Sequence, residues 1–199
     1  MTDDLIRGNA AWAESIRSGA PNYFERLADV QKPDYFWIGC ADSRVPANVV
    51  TGRDPGKIFV HRNIANVVHS TDLNLLSCLE FAVDALGIRN IVICGHYGCA
   101  GIRAATEDVI HGLADHWIEP IRRVARHKAD ELDALGDGEA RLNRLAELNV
   151  VESVSRTAET PVIQRAWSRG DEIAVHGLIY GLKDGLLTDL DCSVRRTAA

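Results

Sequence analysis

Two short segments contain the residues of this chain that are best suited to chemistry. The first, Cys40-Ala41-Asp42-Ser43-Arg44, places a thiol, a carboxylate and a guanidinium close together. The second, His96-Tyr97-Gly98-Cys99, adds an imidazole and another thiol. Thiolates and imidazoles suit zinc, and three protein ligands with one open position are typical of a catalytic zinc site. Together the segments predict one zinc ion bound by Cys40, His96 and Cys99.

Asp42 has two roles that the sequence leaves open. It could be a fourth metal ligand, which would close the site. It could instead pair with Arg44, because residues two apart in an extended segment lie on the same side, and accept a hydrogen bond from water on the metal. A bidentate pair of this kind is geometrically specific. We expect Asp42 and Arg44 to act as a catalytic pair, with Asp42 on the metal only in a closed state.

Each chemical segment follows an apolar run that is too short for a helix. Residues 35–40 and 90–94 are predicted as buried strands, and 57–61 and 172–180 as two more. These runs alternate with helical patterns, which is typical of parallel strands joined by crossover helices. Ligand sites of open α/β sheets lie at the carboxyl ends of the strands. If the first and third strands are neighbours, the three metal ligands converge.

The predicted fold class is α/β, with a central, mostly parallel sheet of four strands, an antiparallel edge strand and flanking helices. The edge strand, 186–190, follows the fourth strand after a short turn at 181–185, and so short a link forces antiparallel pairing. The predicted helices after the first strand cover residues 46–50, 73–86, 100–106, 117–128, 141–159 and 162–168, with a link at 133–138.

The beginning of the chain is predicted to be a helical arm. Residues 3–18 place Leu5, Ile6 and Trp12 among charged residues, as in an amphipathic helix, and a second helix is expected at 23–30. No strand follows the first helix, so the arm, residues 1–30, is expected to pack on something else, such as a second subunit. We see no internal repeat or domain boundary, and therefore predict a single domain over residues 1–199.

The composition narrows the classes of function. The 199 residues carry a net charge of -6 without a basic run, which argues against nucleic acid and anionic membranes as partners. Five cysteines, an odd number in a chain of this size, argue against a disulfide framework. The first residues lack the pattern of a signal peptide, and no apolar stretch approaches the ~20 residues of a membrane span. We therefore expect a cytoplasmic protein.

The two segments that carry the predicted metal ligands also resemble those of a known family. Cys-Ala-Asp-Ser-Arg at 40–44, followed by His-Tyr-Gly-Cys at 96–99, resembles the β-class carbonic anhydrases, in particular the bicarbonate-regulated bacterial-type subset. Further matches at 59–63 and 176–185 extend the resemblance over nearly the whole chain, in order. It implies one zinc ion per chain and self-association as a dimer or a dimer of dimers, in which the N-terminal helices embrace the neighbouring subunit.

The resemblance implies an activity, which is the reversible hydration of carbon dioxide to bicarbonate and a proton. In this family a zinc-bound hydroxide attacks carbon dioxide, and the pair corresponding to Asp42 and Arg44 orients it. The residues implied to line the substrate pocket are Gln31, Phe59, Phe81 and Ala100. The resemblance implies that Phe81 reaches the pocket of the neighbouring subunit in the dimer, and many relatives have tyrosine at this position. At the position of Ala100, a glycine is common in the family.

Four further residues resemble a non-catalytic bicarbonate site found in a subset of the family. These are Trp37, Gly39, Arg62 and Tyr180. The resemblance implies that bicarbonate at this site favours a state in which the aspartate leaves its arginine and ligates zinc. We therefore expect bicarbonate-inhibited, pH-switched activity that collapses below neutral to mildly alkaline pH.

Other functions remain open on the same residues. Carbon disulfide and carbonyl sulfide resemble carbon dioxide in shape, so a hydrolase of these compounds is one alternative. A non-catalytic bicarbonate-binding module is another, although such a module has no need of the Asp42–Arg44 pair. A redox protein is disfavoured because no Cys-x-x-Cys pair is present. A dinucleotide-binding domain is disfavoured because no Gly-x-Gly-x-x-Gly follows the first strand.

Overall fold

The computed structural model describes residues 2–29, 31–110 and 112–196. The chain divides into two compact units, Met1–Lys32 and Pro33–Ala199. The predicted arm falls within the first unit, and Met1 and Val30 lie outside the described residues. That residues 1–199 form a single domain stays a prediction.

The first unit consists of two helices, as predicted. Helix α1 covers Thr2–Gly19 and helix α2 covers Tyr23–Asp29. The rings of Trp12 and Phe24 meet edge to face with their centroids 5.6 Å apart, which joins the two helices. Leu5 at the other end of α1 is 74% exposed. An apolar side chain this exposed leaves part of the amphipathic face of α1 without a partner inside its own unit.

A six-stranded sheet forms the centre of the second unit, and its order is β2 (Ile58–Asn63), β1 (Tyr35–Cys40), β3 (Asn90–His96), β4 (Ala174–Tyr180) and β5 (Leu187–Asp189). The first four strands are parallel and β5 is antiparallel to β4. The predicted fold class is therefore confirmed. A short strand, β6 (Val194–Arg195), also pairs with β4 and was not predicted.

The first and third strands are direct neighbours, as the convergence of the ligands requires. Strands β1 and β3 pair in a register that sets Gly39 opposite Cys94. Strand β3 is two residues longer than the predicted 90–94, so His96 is the last residue of the strand and not part of the following loop. The prediction that the carboxyl ends of β1 and β3 lie side by side is confirmed.

Seven helices of the second unit lie within the described residues: α3 (Ala47–Val50), α4 (Leu73–Glu80), α5 (Ala100–Ala104), α6 (Leu113–His127), α7 (Ala129–Asp133), α8 (Glu139–Ala158) and α9 (Pro161–Ser168). The predicted helix 73–86 is continued from Glu80 by a π-helical turn, Phe81–Ala85, in which Leu86 N–H donates to the Phe81 carbonyl at 3.0 Å. Helix α6 begins four residues earlier than predicted, and α7 was not predicted.

The strands contribute side chains to two apolar clusters, one on each face of the sheet. Phe36 and Ile38 lie in the larger cluster together with side chains of the helices, whereas Trp37 and Val92 lie in the smaller one. This alternation is the period of two that a strand imposes. Full burial of each large apolar side chain stabilises the fold by about 1.5–3 kcal/mol. None of the helices in residues 2–29, 31–110 and 112–196 could cross a membrane.

Two glycines allow α8 to lie unusually close to the sheet. A Cβ atom at Gly95 would lie 2.6 Å from Cγ2 of Val150, and one at Gly177 would lie 3.1 Å from Val150 and Val154. Such distances are too short for side chains on both sides. The missing side chains on β3 and β4 therefore determine where α8 rests, and that position brings its polar residues to the carboxyl ends of the strands.

Candidate metal centre

Cys40, His96 and Cys99 form a buried cluster where β1 and β3 end. Their ligand atoms all lie within 4.8 Å of one another, and the two sulfur atoms are 3.9 Å apart. A tetrahedral zinc with Zn–S bonds of about 2.3 Å separates two sulfurs by roughly 3.8 Å. The convergence predicted from the sequence is therefore confirmed, and the spacing suits one zinc ion.

The ring of His96 is oriented for metal binding. Its Nδ1 lies 3.0 Å from the carbonyl oxygen of Tyr97, so Nδ1–H donates and Nε2 keeps its lone pair. His96 is 1% exposed, and Nε2 has no hydrogen-bond partner among the residues that the structure describes. A buried polar atom without a partner is costly. A metal ion at Nε2 removes that cost. A hydrogen bond from the other ring nitrogen to a carbonyl group fixes the orientation of metal-ligating histidines in this way.

The two thiols are electrostatically coupled in a way that also favours a cation. The Cys99 thiol, which can donate to the Cys40 sulfur, lowers the pKa of Cys40, whereas the neighbouring Cys40 sulfur and burial raise the pKa of Cys99. Burial opposes a charged imidazole, but the Cys40 sulfur outweighs it and raises the pKa of His96. Two thiolates at this separation require a positive charge between them. The donor set therefore fits zinc.

Asp42 and Arg44 form the bidentate pair that the sequence suggested. Arg44 Nε donates to Oδ1 at 2.9 Å and Nη2 donates to Oδ2 at 2.7 Å, while the backbone N–H of Arg44 adds a third bond to Oδ1 at 2.9 Å. The guanidinium holds the pKa of Asp42 well below its usual range. Oδ2 also lies 3.7 Å from Nε2 of His96. An ionised carboxylate is therefore fixed beside the cluster.

Arg62 fixes the main chain of the same segment. Its Nε donates to the carbonyl oxygen of Cys40 at 2.8 Å, and its Nη2 donates to the carbonyl oxygen of Asp42. The register of β1 with β2 places Arg62 directly opposite Gly39, which explains this reach. Arg62 therefore connects the outer strand to the segment that carries a metal ligand and the carboxylate.

The remaining residues of the predicted bicarbonate site lie on the face of the smaller apolar cluster. Trp37 is a buried member of that cluster, and the half-buried Tyr180 packs against it. A Cβ atom at Gly39 would lie 2.3 Å from Nε1 of Trp37, so the indole occupies the space above this glycine. The structure thus shows why position 39 has no side chain. It does not test whether these residues bind bicarbonate, which stays a prediction.

The structure brings two of the four predicted pocket residues together. The ring of Phe59 lies 5.9 Å from that of Phe81 in the same chain, measured between centroids, and Phe81 is 49% exposed. Ala100 is the exposed first residue of α5, directly after Cys99. Gln31 belongs to the first unit and is also exposed. The roles of all four in substrate binding stay predictions.

A hydrogen-bonded network behind His96 was missed by sequence reasoning. The hydroxyl of Tyr97 donates to Glu147 on α8 at 2.7 Å, and Arg144 donates to the other oxygen of Glu147 at 2.8 Å. Burial and the Glu147 carboxylate raise the pKa of Tyr97 to about 12. The partners are 50 residues apart in sequence, and no local pattern joins them. The helix is thereby tied to the segment in which β3 ends at His96 and the chain continues to Cys99.

A sheet of this topology with a buried Cys-His-Cys centre defines a zinc-binding α/β enzyme, and the comparisons with known proteins identify the family. The family model described as carbonic anhydrase matches residues 35–187. A carbonic anhydrase of Emericella nidulans is 46% identical over 189 residues, which cover 95% of this chain and 83% of that protein. One from Saccharomyces cerevisiae is 33% identical, with 92% of this chain and 86% of that protein covered.

Solved structures agree with the sequence relatives. A chain from a study of two tetrameric β-carbonic anhydrases of Sordaria macrospora superposes with a TM-score of 0.91 at 39% identity, covering 96% of this chain and 98% of that one. The Coccomyxa β-carbonic anhydrase in complex with acetazolamide superposes with a TM-score of 0.92 at 36% identity, with 98% and 88% covered. This chain belongs to the β-class carbonic anhydrases. The resemblance to the β-class carbonic anhydrases is confirmed, and with it zinc as the cofactor, whereas membership of the bicarbonate-regulated subset stays a prediction.

Proposed function

We propose that this protein catalyses the reversible hydration of carbon dioxide to bicarbonate and a proton. The observation that supports it most directly is an ionised carboxylate, Asp42, fixed beside a buried metal-binding cluster by three hydrogen bonds from Arg44. Cys40, His96 and Cys99 would hold the zinc ion. Zinc at this position supplies a Lewis acid that allows water to lose a proton near neutral pH.

Asp42 orients the attacking water in this proposal. Oδ1 accepts two hydrogen bonds from Arg44, whereas Oδ2 accepts one and keeps a further lone pair. Oδ2, the oxygen nearer to His96, accepts a hydrogen bond from the water and directs the water's lone pair at the carbon of the substrate. Arg44 keeps Asp42 ionised, so Asp42 is an acceptor throughout and not a carrier of the released proton. This orientation is established before the substrate arrives, which lowers the barrier.

The substrate is apolar, and the proposed pocket reflects this. The adjoining rings of Phe59 and Phe81 offer an apolar wall. Phe81 lacks the hydroxyl that tyrosine would provide, so polar contacts to the substrate fall to other groups, for which we propose Gln31 and the backbone N–H of Ala100. In an assembled dimer Phe81 would be shared with the neighbouring subunit.

We also propose that bicarbonate regulates the enzyme through Trp37, Gly39, Arg62 and Tyr180. The bonds from Arg62 to the carbonyls of Cys40 and Asp42 support this proposal, since an anion that draws the guanidinium away would loosen the segment that carries the carboxylate. Asp42 could then leave Arg44 and ligate zinc. Such coupling is reciprocal, so conditions that close Asp42 onto the metal should tighten bicarbonate at Arg62.

Self-association and location complete the proposal. We propose a dimer or a dimer of dimers, supported by the tetrameric relatives in Sordaria macrospora and by exposed Leu5 and Ile6 on α1. We further propose that the protein acts in the cytoplasm. All five cysteines are free thiols in the structure, which fits a reducing compartment.

Stopped-flow measurement of carbon dioxide hydration by zinc-loaded protein tests these proposals, at pH 7 and pH 9, with and without added bicarbonate. Activity at pH 9 with little at pH 7, and inhibition by bicarbonate, would support both the enzyme and its regulation. Equal activity at both pH values without inhibition would support the proposed hydration activity and refute the proposed regulation by pH and bicarbonate. No hydration by protein shown to hold zinc would refute the activity, and parallel assays with carbonyl sulfide and carbon disulfide would then identify a related hydrolase.

A further inference from the structure

A short turn, Ile64–Asn66, lies between the two metal-binding segments, and its residues Ala65 and Asn66 are buried whereas Ile64 is 48% exposed. It follows β2 and contacts β1, β3 and α5. Ala65 and Asn66 have φ angles of 58° and 47°, and both are almost completely buried. The left-handed region disfavours residues with a Cβ atom because the Cβ approaches the following carbonyl oxygen. This turn therefore requires external contacts to keep its conformation.

Those contacts come from side chains that donate to consecutive carbonyl groups. The carbonyls of residues 64–67 each accept a hydrogen bond from a side chain, and the donors are Trp117 Nε1 at 2.8 Å, Asn149 Nδ2 at 2.9 Å, Ser153 Oγ at 3.3 Å and Asn63 Nδ2 at 2.9 Å, in that order. A buried irregular backbone needs such partners because water cannot reach it. Asn149 and Ser153 both lie on α8, the helix whose position is determined by Gly95.

The turn touches both cysteine ligands or their immediate neighbours. The backbone N–H of Ala41, next to Cys40, donates to the carbonyl oxygen of Asn63 at 2.7 Å, which joins the start of the turn to the Cys40 segment. On its other side the turn presses against the helix that follows Cys99. A Cβ atom at Gly101 would lie 2.9 Å from both the Ala65 Cβ and the Ile64 Cγ2. A change in the conformation of the turn would therefore alter the position of Cys40 relative to Cys99.

We propose that Asn149 is a positioning residue for the metal centre. Its amide holds Ala65 in the left-handed conformation, and Ala65 in turn keeps the two cysteine sulfurs at the separation that zinc requires. The inference rests on the proposed function, since it requires that Cys40, His96 and Cys99 hold zinc. It adds a residue more than 100 positions away from Cys40 in sequence that determines how long the metal is retained.

Asn149 is better suited to this role than the other three donors. It is 2% exposed, and its bond is made to the carbonyl of the most strained residue of the turn. The bond from Ser153 is longer, at 3.3 Å, and is made to the next carbonyl. Asn63 and Trp117 donate to carbonyls at the ends of the segment. Loss of the Asn149 amide would leave a buried carbonyl without a donor where the backbone is least favourable.

The test measures zinc release from the full-length protein into an excess of a colorimetric chelator, for the native sequence, Asn149→Ala and the double variant Asn149→Ala with Ala65→Gly. Loss of a hydrogen bond that supports the surroundings of a metal site typically costs 10–100-fold in metal affinity. We therefore expect Asn149→Ala to release zinc about tenfold faster or more. Glycine adopts the left-handed conformation without a steric penalty, so Ala65→Gly should restore most of the retention.

A matched control comes from the same helix. Thr157 is buried and its hydroxyl bonds to the Ser153 carbonyl within α8, at 2.7 Å. Thr157→Val removes a buried hydroxyl without touching the turn, and should lower stability while leaving zinc release unchanged. The cobalt-substituted protein gives a second readout, since Asn149→Ala should alter the absorption bands of the metal–thiolate centre and Thr157→Val should not.

The outcomes separate this inference from the proposed function. Faster release in Asn149→Ala, reversed by Ala65→Gly, supports the inference. Unchanged release in Asn149→Ala, or faster release that Ala65→Gly does not reverse, overturns it while the native protein still binds one zinc. If Asn149→Ala does not fold, Asn149→Leu replaces it, since leucine keeps the volume of the side chain but lacks the amide donor, and unchanged release in that variant overturns the inference. A native protein that binds no zinc would refute the proposed function itself.

Discussion

The two strand tips that form the metal centre differ in how they are held. The tip of β1 carries Cys40 and the ionised Asp42, and it is fixed by the guanidinium groups of Arg44 and Arg62, both of which are exposed. The tip of β3 carries His96 and Cys99, both buried, and it is fixed from behind by the bond between Tyr97 and Glu147 on α8.

The difference indicates that the two ends of the strands have different roles within one site. Bonds from exposed arginines can be exchanged for bonds to water or to anions at little cost, because surface ion pairs contribute only about 0–1 kcal/mol. The network of Tyr97, Glu147 and Arg144 is half-buried and joins a strand to a helix, so its partners are exchanged less easily. The β1 tip is therefore suited to rearrange during catalysis and regulation, whereas the β3 tip is suited to retain the metal.

The largest effect should come from the tip that retains the metal. Cys99→Ser replaces a thiolate by a hydroxyl that does not ionise near neutral pH, so the cluster loses one of its two anionic ligands. We expect zinc content to fall from one per chain to nearly zero. The rate of carbon dioxide hydration should fall to the uncatalysed rate measured in buffer without enzyme. Metal analysis and stopped-flow kinetics measure both. Full zinc content in this variant would contradict the assignment of Cys99 as a ligand.

The next largest effect should appear at the other tip without loss of metal. Asp42→Asn removes the anionic acceptor and its pairing with Arg44, while the three proposed ligands remain. We expect zinc content to stay near one per chain and hydration to fall by about 10²-fold or more, the effect of losing the alignment of a reacting group. Arg44→Lys serves as a companion, since lysine cannot make the bidentate pair. If Asp42→Asn retains native activity, the β1 tip is not the reactive one.

A smaller effect is expected for the arginine that fixes the backbone of the β1 tip. Arg62→Ala removes the donors to the carbonyls of Cys40 and Asp42. Hydrogen bonds from charged groups are worth about 1.5–3 kcal/mol each, less at exposed positions. We expect hydration to fall several-fold and inhibition by bicarbonate to be lost, both measured by stopped flow. Unchanged inhibition would separate Arg62 from the proposed regulation.

The smallest effect should come from Tyr97→Phe. This change removes one hydroxyl that bonds to Glu147, while Arg144 still pairs with the carboxylate. We expect the free energy of unfolding to fall by about 1 kcal/mol, zinc release to become modestly faster, and the activity of zinc-loaded protein to stay unchanged. Urea unfolding and chelator kinetics provide the measurements. A drop in activity at full zinc content would show that the β3 tip also takes part in the chemistry.

Sequence reasoning predicted the sheet well because its strands are short apolar runs with clear boundaries. It missed β6 because two residues, Val194–Arg195, are too few to form a pattern. It ended β3 too early because glycine and histidine do not continue an apolar run, although both are buried here. It did not predict the π-helical turn at Phe81–Ala85, since the apolar spacing continues through that turn unchanged.

The metal cluster and the Asp42–Arg44 pair were predictable because each half is local in sequence and the strand order joins the halves. The supporting residues were not. Asn149 reaches Ala65 across 84 residues, and neither residue is chemically unusual on its own. The placement of Gln31 in a separate unit likewise could not be foreseen from the chain near the site.

The packing of α8 against Gly95 and Gly177 has a consequence for the stage of protein synthesis at which zinc can be bound. All three proposed ligands leave the ribosome in the first half of the chain, but the helix that supports their loops and the strand against which it rests come later, at Glu139–Ala158 and Ala174–Tyr180. Nascent chains fold as units from the N-terminus. A nascent chain that has exposed the three ligands alone should therefore hold zinc weakly, and stable capture should begin only when β4 has emerged.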